Sequence, residues 1–154
     1  SGKSSLLKLL IGQEIPHRGQ LRPGSGLVLS YVPQDALFLR GALADYAAYN
    51  QVNQTLFLTI LRKLDLPRAQ FEKRLEDFSM GQKKKVLLAC SLAQQAHLYI
   101  WDEPLNYIDV LSRMQIEQLL RDFAPTMLFV EHDAAFCRNV ATRTLHLESP
   151  APGR

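Results

Sequence analysis

Leu98-Tyr99-Ile100-Trp101-Asp102-Glu103-Pro104 is the stretch on which the fold turns. Four apolar residues bounded by acids and a proline are too short a run for a helix, and they read as a strand buried on both faces, as in parallel sheets. The acids stand at its C-terminal end. The same pattern returns at Met127–Val130, which stops at Glu131-His132-Asp133, and at residues 27–32, Leu-Val-Leu-Ser-Tyr-Val, which end at Pro33 and pass into Gln34.

Helical periodicity fills the spaces between these runs. From Lys3 to Ile11 leucines recur on more than one face, which predicts a buried helix directly after a Gly2-Lys3-Ser4 turn, closed by Pro16 and Gly19. Between Gly41 and Asp77 short helices are expected. Leu56, Ile60 and Leu64 keep an i, i+4, i+8 stripe there, and Pro67 suits the start of the next helix. Ser79-Met80-Gly81 leads into a strong helix with Val86, Ala89, Cys90 and Ala93 on one face. Asp109 is placed to cap another, whose Ile116, Leu119, Leu120 and Phe123 share a face. A helical stretch near Phe136, a last strand from Thr144 to Leu147 and a loose Pro/Gly-rich tail over 149–154 complete the reading. Strands alternating with helices predict an α/β fold: a parallel sheet flanked by helices, with ligands at the C-terminal strand ends.

A length of 154 residues suits one domain, and 47% apolar with 21% charged residues excludes disordered and fibrous classes. The net charge of +3 is mild, and on charge alone the run Lys83-Lys84-Lys85 reads as a solvated helix face, with a nucleic-acid patch as the lesser reading. Cys90 and Cys137 lack metal-ligand spacing and read as small buried residues in a reducing, cytoplasmic setting. No apolar run approaches a membrane span, so no direct membrane insertion is expected. The opening Ser1-Gly2-Lys3-Ser4-Ser5 carries neither a starting Met nor a signal sequence, and is expected to be the middle of something longer.

Several residues carry chemistry. Gly2-Lys3-Ser4 before a helix is the second half of the phosphate-loop pattern G-x-x-x-x-G-K-[ST], in which backbone N–H groups and the helix dipole hold phosphate oxygens. Lys3 would neutralise β- and γ-phosphates, and Ser4 would bind Mg²⁺. The half-motif also occurs by chance. Asp102 and Glu103 side by side allow one carboxylate to reach a metal while the next orients and deprotonates a water, although paired acids after a strand also make plain polar turns. Ser79 needs no ligand to serve as a helix cap, and Gln34 and His132, taken singly, read as a surface glutamine and a satisfied histidine.

Their order along the chain carries a resemblance. Ser79-Met80-Gly81-Gln82 resembles the Leu-Ser-Gly-Gly-Gln signature of ATP-binding cassette (ABC) domains, departing from it at Phe78 and Met80. The phosphate loop, Gln34, signature, Asp102-Glu103, Asp109 and His132 follow in the family's order over essentially the whole chain. The segments Gly81-Gln82-Lys83-Lys84-Lys85-Val86-Leu87-Leu88-Ala89, Trp101-Asp102-Glu103-Pro104-Leu105-Asn106-Tyr107-Ile108-Asp109 and Phe129-Val130-Glu131-His132-Asp133 look like the second nucleotide-binding domain of ABC-F proteins. Those are soluble tandem-domain ATPases acting on ribosomes, and the likeness is greatest to the antibiotic-resistance branch.

The resemblance implies a P-loop NTPase core over 1–34 and 83–148 with an inserted ABC-type helical subdomain over 41–82. It implies phosphate binding by Gly2, Lys3, Ser4 and Ser5, and Mg²⁺ on Ser4, Gln34 and Asp102. Glu103 would be the base, with His132 and Gln34 at the γ-phosphate and the attacking water. Ser79, Gly81 and Gln82 would close on the ATP of a second nucleotide-binding domain carried by the same full-length chain, with Asn106 and Asp109 in the interface loop. The ribosome and its rRNA would be met through regions outside these residues. An alternative is an energy-coupling subunit of a membrane transporter, in which Gln34 and the helical insert receive a coupling helix. By itself a piece lacking the strand ahead of Gly2 is expected to bind ATP weakly, turn over negligibly and aggregate.

Overall fold

The computed structural model describes residues 2–148. Its centre is a three-stranded parallel sheet in the order β1 (Leu29–Val32), β2 (Leu98–Asp102), β3 (Met127–Val130). The expected α/β architecture is therefore present, with helices covering the sheet. In the register of this sheet Val32 lies opposite Trp101, and Asp102 lies opposite Val130. The residues that come next along each strand, Pro33-Gln34, Glu103 and Glu131-His132, emerge side by side at one end of the sheet.

Alternation along a strand sends neighbouring side chains to opposite faces, and the two faces meet different helices. Helix α1 (Gly2–Leu10) lies against β2, and Ser4 reaches Asp102 there. Helix α4 (Met80–Ala93) lies against β1 on the face that holds Ser30, Val32 and Trp101. Eleven consecutive residues of α4, from Lys83 to Ala93, are buried. Beyond its first turn it is enclosed, including by α3 (Gln54–Lys63).

The stretch between β1 and α4 is helical: α2 (Leu43–Tyr49), α3, and two 3₁₀ turns at Arg68–Glu72 and Leu75–Asp77. Leu39, Leu43, Ala47, Phe57, Ile60, Leu61, Leu64, Leu66 and Leu75 join Val86, Leu88 and Trp101 in one continuous core. Helix α5 (Val110–Phe123) packs against α6 (Ala134–Val140), whose Phe136 is fully buried and meets Phe129 edge-on with ring centroids 5.2 Å apart.

Five expectations need correction. Thr144 to Leu147 forms no strand; Leu145 and Leu147 are exposed, and nothing pairs with that segment among the described residues. Helix α1 already includes Gly2-Lys3-Ser4, where a turn was expected, and it buries only Leu7, because a single face meets the sheet. Of the expected stripe Leu56, Ile60 and Leu64, the last two are buried and Leu56 is exposed, while Phe57 and Leu61 widen the buried face of α3 on the side away from Leu56. Phe123, the last residue of α5, is exposed too. The lysine run 83–85 is not a solvated face, since all three residues are buried. Cys90 is buried and Cys137 half-buried, both as free thiols, and burial pushes the Cys90 thiol up to about 11. The tail 149–154 lies outside the described residues.

A relay of hydroxyls locks α4 onto the sheet. Trp101 Nε1 donates to Ser91 Oγ at 2.9 Å, Ser91 and Ser30 share a hydrogen bond of 2.6 Å, and Ser30 Oγ donates to Gln94 Oε1 at 2.5 Å. Every donor is used, which is what allows three polar groups inside a dry core. Replacing Ser91 with Ala strands the buried indole N–H. The expected cost is about 1–3 kcal/mol of unfolding free energy, read as a lowered denaturation midpoint; an unchanged midpoint would contradict the relay.

Candidate functional site

The common end of the three strands gathers most of the polar residues singled out above. Glu103 follows β2 and adopts a left-handed backbone with φ 48°, a conformation that costs a residue with a Cβ about 1 kcal/mol or more. Its own N–H, donating to the Val130 carbonyl at 2.8 Å, extends the β2–β3 pairing by one residue and offsets that cost. The carboxylate then meets three side chains. Gln34 Nε2 donates to Oε2 at 2.6 Å, Asn106 Nδ2 donates to the same oxygen at 3.0 Å, and His132 Nε2 lies 3.0 Å from Oε1. Residues 34, 103, 106 and 132 thus converge on a single carboxyl group.

Asp102, 2% exposed, points to the other face of β2, where Ser4 Oγ from the first turn of α1 lies 3.5 Å from its Oδ1. Gly2, Lys3 and Ser5 are exposed on the same turn, and among the described residues no hydrogen bond ties Lys3 or Ser5 to the cluster. A serine hydroxyl beside a carboxylate, with a glutamine amide at the adjacent strand end, is an oxygen donor set suited to a hard cation. Mg²⁺ takes one or two carboxylates and completes its shell with phosphate oxygens and water. No three His, Cys, Asp or Glu side chains among the described residues cluster closely enough to hold a metal ion by themselves.

Two residues of this region carry no role in the sequence reading. Glu131 accepts hydrogen bonds from the backbone N–H groups of Leu105 at 3.0 Å, His132 at 2.8 Å and Asp133 at 3.3 Å, so it fixes the loops after β2 and β3 to one another. Its position right after a strand, in the same place as Asp102-Glu103, was the available signal. Lys84 is 1% exposed, and its ammonium donates to the carbonyl of Gln34 at 2.8 Å and of Pro33 at 3.4 Å. Burial lowers its pKa, opposed by the negative field of Asp102, Glu131, Glu103 and Asp35. The signal for Lys84 was weak, because Lys83 and Lys85 flank it and only the apolar residues a turn away, Met80, Leu87 and Leu88, hint at enclosure.

The signature-like residues form a second group. Ser79 caps α4 in a reciprocal capping box: its hydroxyl accepts from Gln82 N–H at 3.1 Å, and Gln82 Oε1 accepts from Ser79 N–H at 3.0 Å. Gln70 Nε2 donates to that same Oε1 at 3.1 Å. Ser79, Gly81, Gln82, Lys85, Tyr107 and Asp109 line an open hollow of about 510 Å³. Asp109 caps α5, and the Ser112 N–H holds its carboxyl below the usual carboxylate range. The plain capping roles of Ser79 and Asp109 are thus both realised. The segment from Glu103 to Asp109 joins the two groups, with Glu103 in the first and the Tyr107 carbonyl pressed against Gly81 in the second.

Comparison with known proteins gives this arrangement a context. The family model described as ABC transporter matches residues 1–106. The chain is 33% identical over 152 residues to the putative ATP-binding protein YdiF of Bacillus subtilis (strain 168), covering 96% of this chain and 24% of that protein. It is 29% identical to the ATP-binding protein Uup of Caulobacter vibrioides, covering 96% and 26%. It is 27% identical to the ribosome protection protein VmlR of Bacillus subtilis (strain 168), covering 94% and 27%. Among solved structures it resembles the archaeal ribosome recycling factor aABCE1, in complex with the ribosomal stalk protein aP1, at a TM-score of 0.72 and 27% identity, over 91% of this chain and 28% of that one. The chain spans about a quarter of the length of these proteins.

Gly81 is the position where the geometry of the second group is least forgiving. A Cβ there would lie 2.6 Å from the Tyr107 carbonyl oxygen, a backbone atom that cannot rotate away. Gly81→Ala is expected to lower stability by about 1–3 kcal/mol and to displace the 105–108 loop. Thermal melts and amide exchange of that loop provide the check, and an unshifted melt would show that the contact gives way freely.

Proposed function

The chain belongs to the ABC transporter family, and from that membership we propose that it works as the C-terminal nucleotide-binding domain of a longer ABC-F protein, hydrolysing ATP to ADP and phosphate to control engagement with the ribosome. Its standing as an ABC ATPase domain with ABC-F-like relatives is shown by the family match over 1–106 and by likeness to Uup and VmlR. One observation carries the catalytic reading: Glu103 is held by Gln34, Asn106 and His132 at the shared end of three parallel strands. Ligands collect at that end in open parallel sheets.

In this reading Lys3 and the first turn of α1 take the β- and γ-phosphates, with helix-terminal N–H groups of Gly2, Ser4 and Ser5 assisting. Ser4, Asp102 and Gln34 are the residues that would hold Mg²⁺, which when bound neutralises charge on the phosphate oxygens. Glu103 takes the proton of the attacking water, and His132 and Gln34 orient it and the γ-phosphate. The bond from the γ-phosphorus to the bridging oxygen breaks as the water oxygen bonds to phosphorus, leaving ADP and phosphate. Ser79, Gly81 and Gln82 close on the nucleotide of a second nucleotide-binding domain, with Asn106 and Asp109 at the interface. Closure favours ribosome binding and hydrolysis favours release. The names of VmlR, a ribosome protection protein, and of aABCE1, a ribosome recycling factor, support a ribosomal partner reached through other parts of the protein. Antibiotic resistance and a cytoplasmic location belong to the same proposal. Among the described residues no helix is long and apolar enough to cross a membrane.

A second reading, the ATP-hydrolysing subunit of a membrane transporter, is favoured by exposed Leu37 and Phe38 just beyond Gln34, an apolar pair that a coupling helix could cover. Co-sedimentation of the whole protein with ribosomes against co-purification with a membrane subunit separates the two. For the chemistry itself, Glu103→Gln keeps the shape and removes the base. Phosphate release is expected to fall by about a hundredfold or more while ATP binding is retained; an unaltered hydrolysis rate would remove Glu103 from the mechanism.

A further inference from the structure

A lysine side chain enclosed in an apolar core is destabilising, and a methionine would fill the same volume without that cost. Lys84 nonetheless sits in the second turn of α4, 1% exposed, and directs its hydrogen bonds to two main-chain carbonyls fifty residues away, those of Pro33 and Gln34. Those carbonyls belong to the link between β1 and the buried Ala36, a segment with few anchors of its own. Pro33 has no N–H to donate, and the pairing of β1 with β2 ends at Val32 opposite Trp101. Downstream, Leu37 N–H turns back to Asp35 at 2.7 Å, a purely local contact.

We propose that Lys84 is a positioning residue for Gln34: by gripping the Pro33 and Gln34 carbonyls it sets the angle at which the Gln34 side chain meets Glu103. The inference rests on the proposed role of Gln34 in hydrolysis. A connected path supports it. Lys84 Nζ bonds Gln34 O at 2.8 Å, Gln34 Nε2 bonds Glu103 Oε2 at 2.6 Å, and Glu103 Oε1 meets His132 Nε2 at 3.0 Å. The ammonium also lies within the field of Asp102, Glu103, Glu131 and Asp35, so it offsets negative charge behind the site while it holds the loop. Helix α4 therefore serves both groups, its first turn shaping the signature-like hollow and its second turn fixing the glutamine of the strand-end cluster.

The test uses the whole protein. Lys84→Met is expected to lower kcat for ATP hydrolysis about tenfold with KM for ATP changed less than about twofold, the pattern of a misplaced group rather than lost substrate binding. In a Gln34→Ala background the same substitution is expected to add less than about twofold, because its effect passes through Gln34. Amide exchange over residues 33–37 should quicken in Lys84→Met without nucleotide, a readout independent of turnover. Losses that multiply in the double variant, or exchange that stays the same, would overturn the proposal. A silent Gln34→Ala would overturn the role of Gln34 instead, and the tether would then be decided by the exchange rates. Should Lys84→Met lose its cooperative thermal transition, Lys84→Leu, which likewise removes the donor toward the carbonyls, carries the same double comparison with the same two outcomes.

Discussion

Parallel pairing of β1, β2 and β3 in one register is the constraint on which the remainder depends. With Val32 opposite Trp101 and Asp102 opposite Val130, three strands end at one level, and each hands its next residues to the same space. A slip of one residue would exchange the faces of Asp102 and Trp101, moving the carboxylate into the apolar α4 side and the indole away from Ser91. The hydroxyl relay through Ser91 and Ser30 and the contact between Ser4 and Asp102 both depend on that register, and both oppose such a slip. Chemistry-bearing residues drawn from positions 4 to 132 thus meet although they lie far apart along the chain.

Charge at the strand ends needs its own balance. Asp102, Glu131, Glu103 and Asp35 all reach Lys84 with their negative charge. Lys84 supplies positive charge from below, main-chain N–H groups satisfy Glu131, and amide and imidazole groups satisfy Glu103. The same balance accounts for Lys84, the most deeply buried of the three lysines of α4.

What the sequence made legible was whatever is decided locally. Met127–Val130 could be read to the residue because an apolar run followed by Glu131-His132-Asp133 has no other comfortable conformation. Ser79 and Asp109 could be read as caps, because a cap is a contact between residues three apart. Gln34, Glu103, Asn106 and His132 were singled out by order and by the resemblance, whereas their meeting at a single carboxylate is a product of register and was not readable. Lys84 was misread for a related reason: charge alone says solvent, and only the enclosure of α4 by α3 and the sheet overrides it. Thr144 to Leu147 has the composition of a strand, yet composition cannot supply a neighbour to pair with.

The loop from Glu103 to Asp109 shows how the two groups constrain each other. Both Glu103 and Tyr107 take left-handed backbones, at φ 48° and 67°, a conformation disfavoured for residues that carry a Cβ. Such geometry persists only where surroundings over-determine it. Here the Glu103 N–H is held by Val130, the Leu105 N–H by Glu131, and the Tyr107 carbonyl is backed by the bare α-carbon of Gly81. With Asn106 between them bonded to Glu103, the loop has little freedom to absorb a displacement at one end alone. A shift in the first turn of α4 would press on Tyr107 and be felt at Glu103 within five residues. Close packing of this kind passes movement on rather than dissipating it, so coupling between the first turn of α4 and Glu103 can reside in one short strained segment.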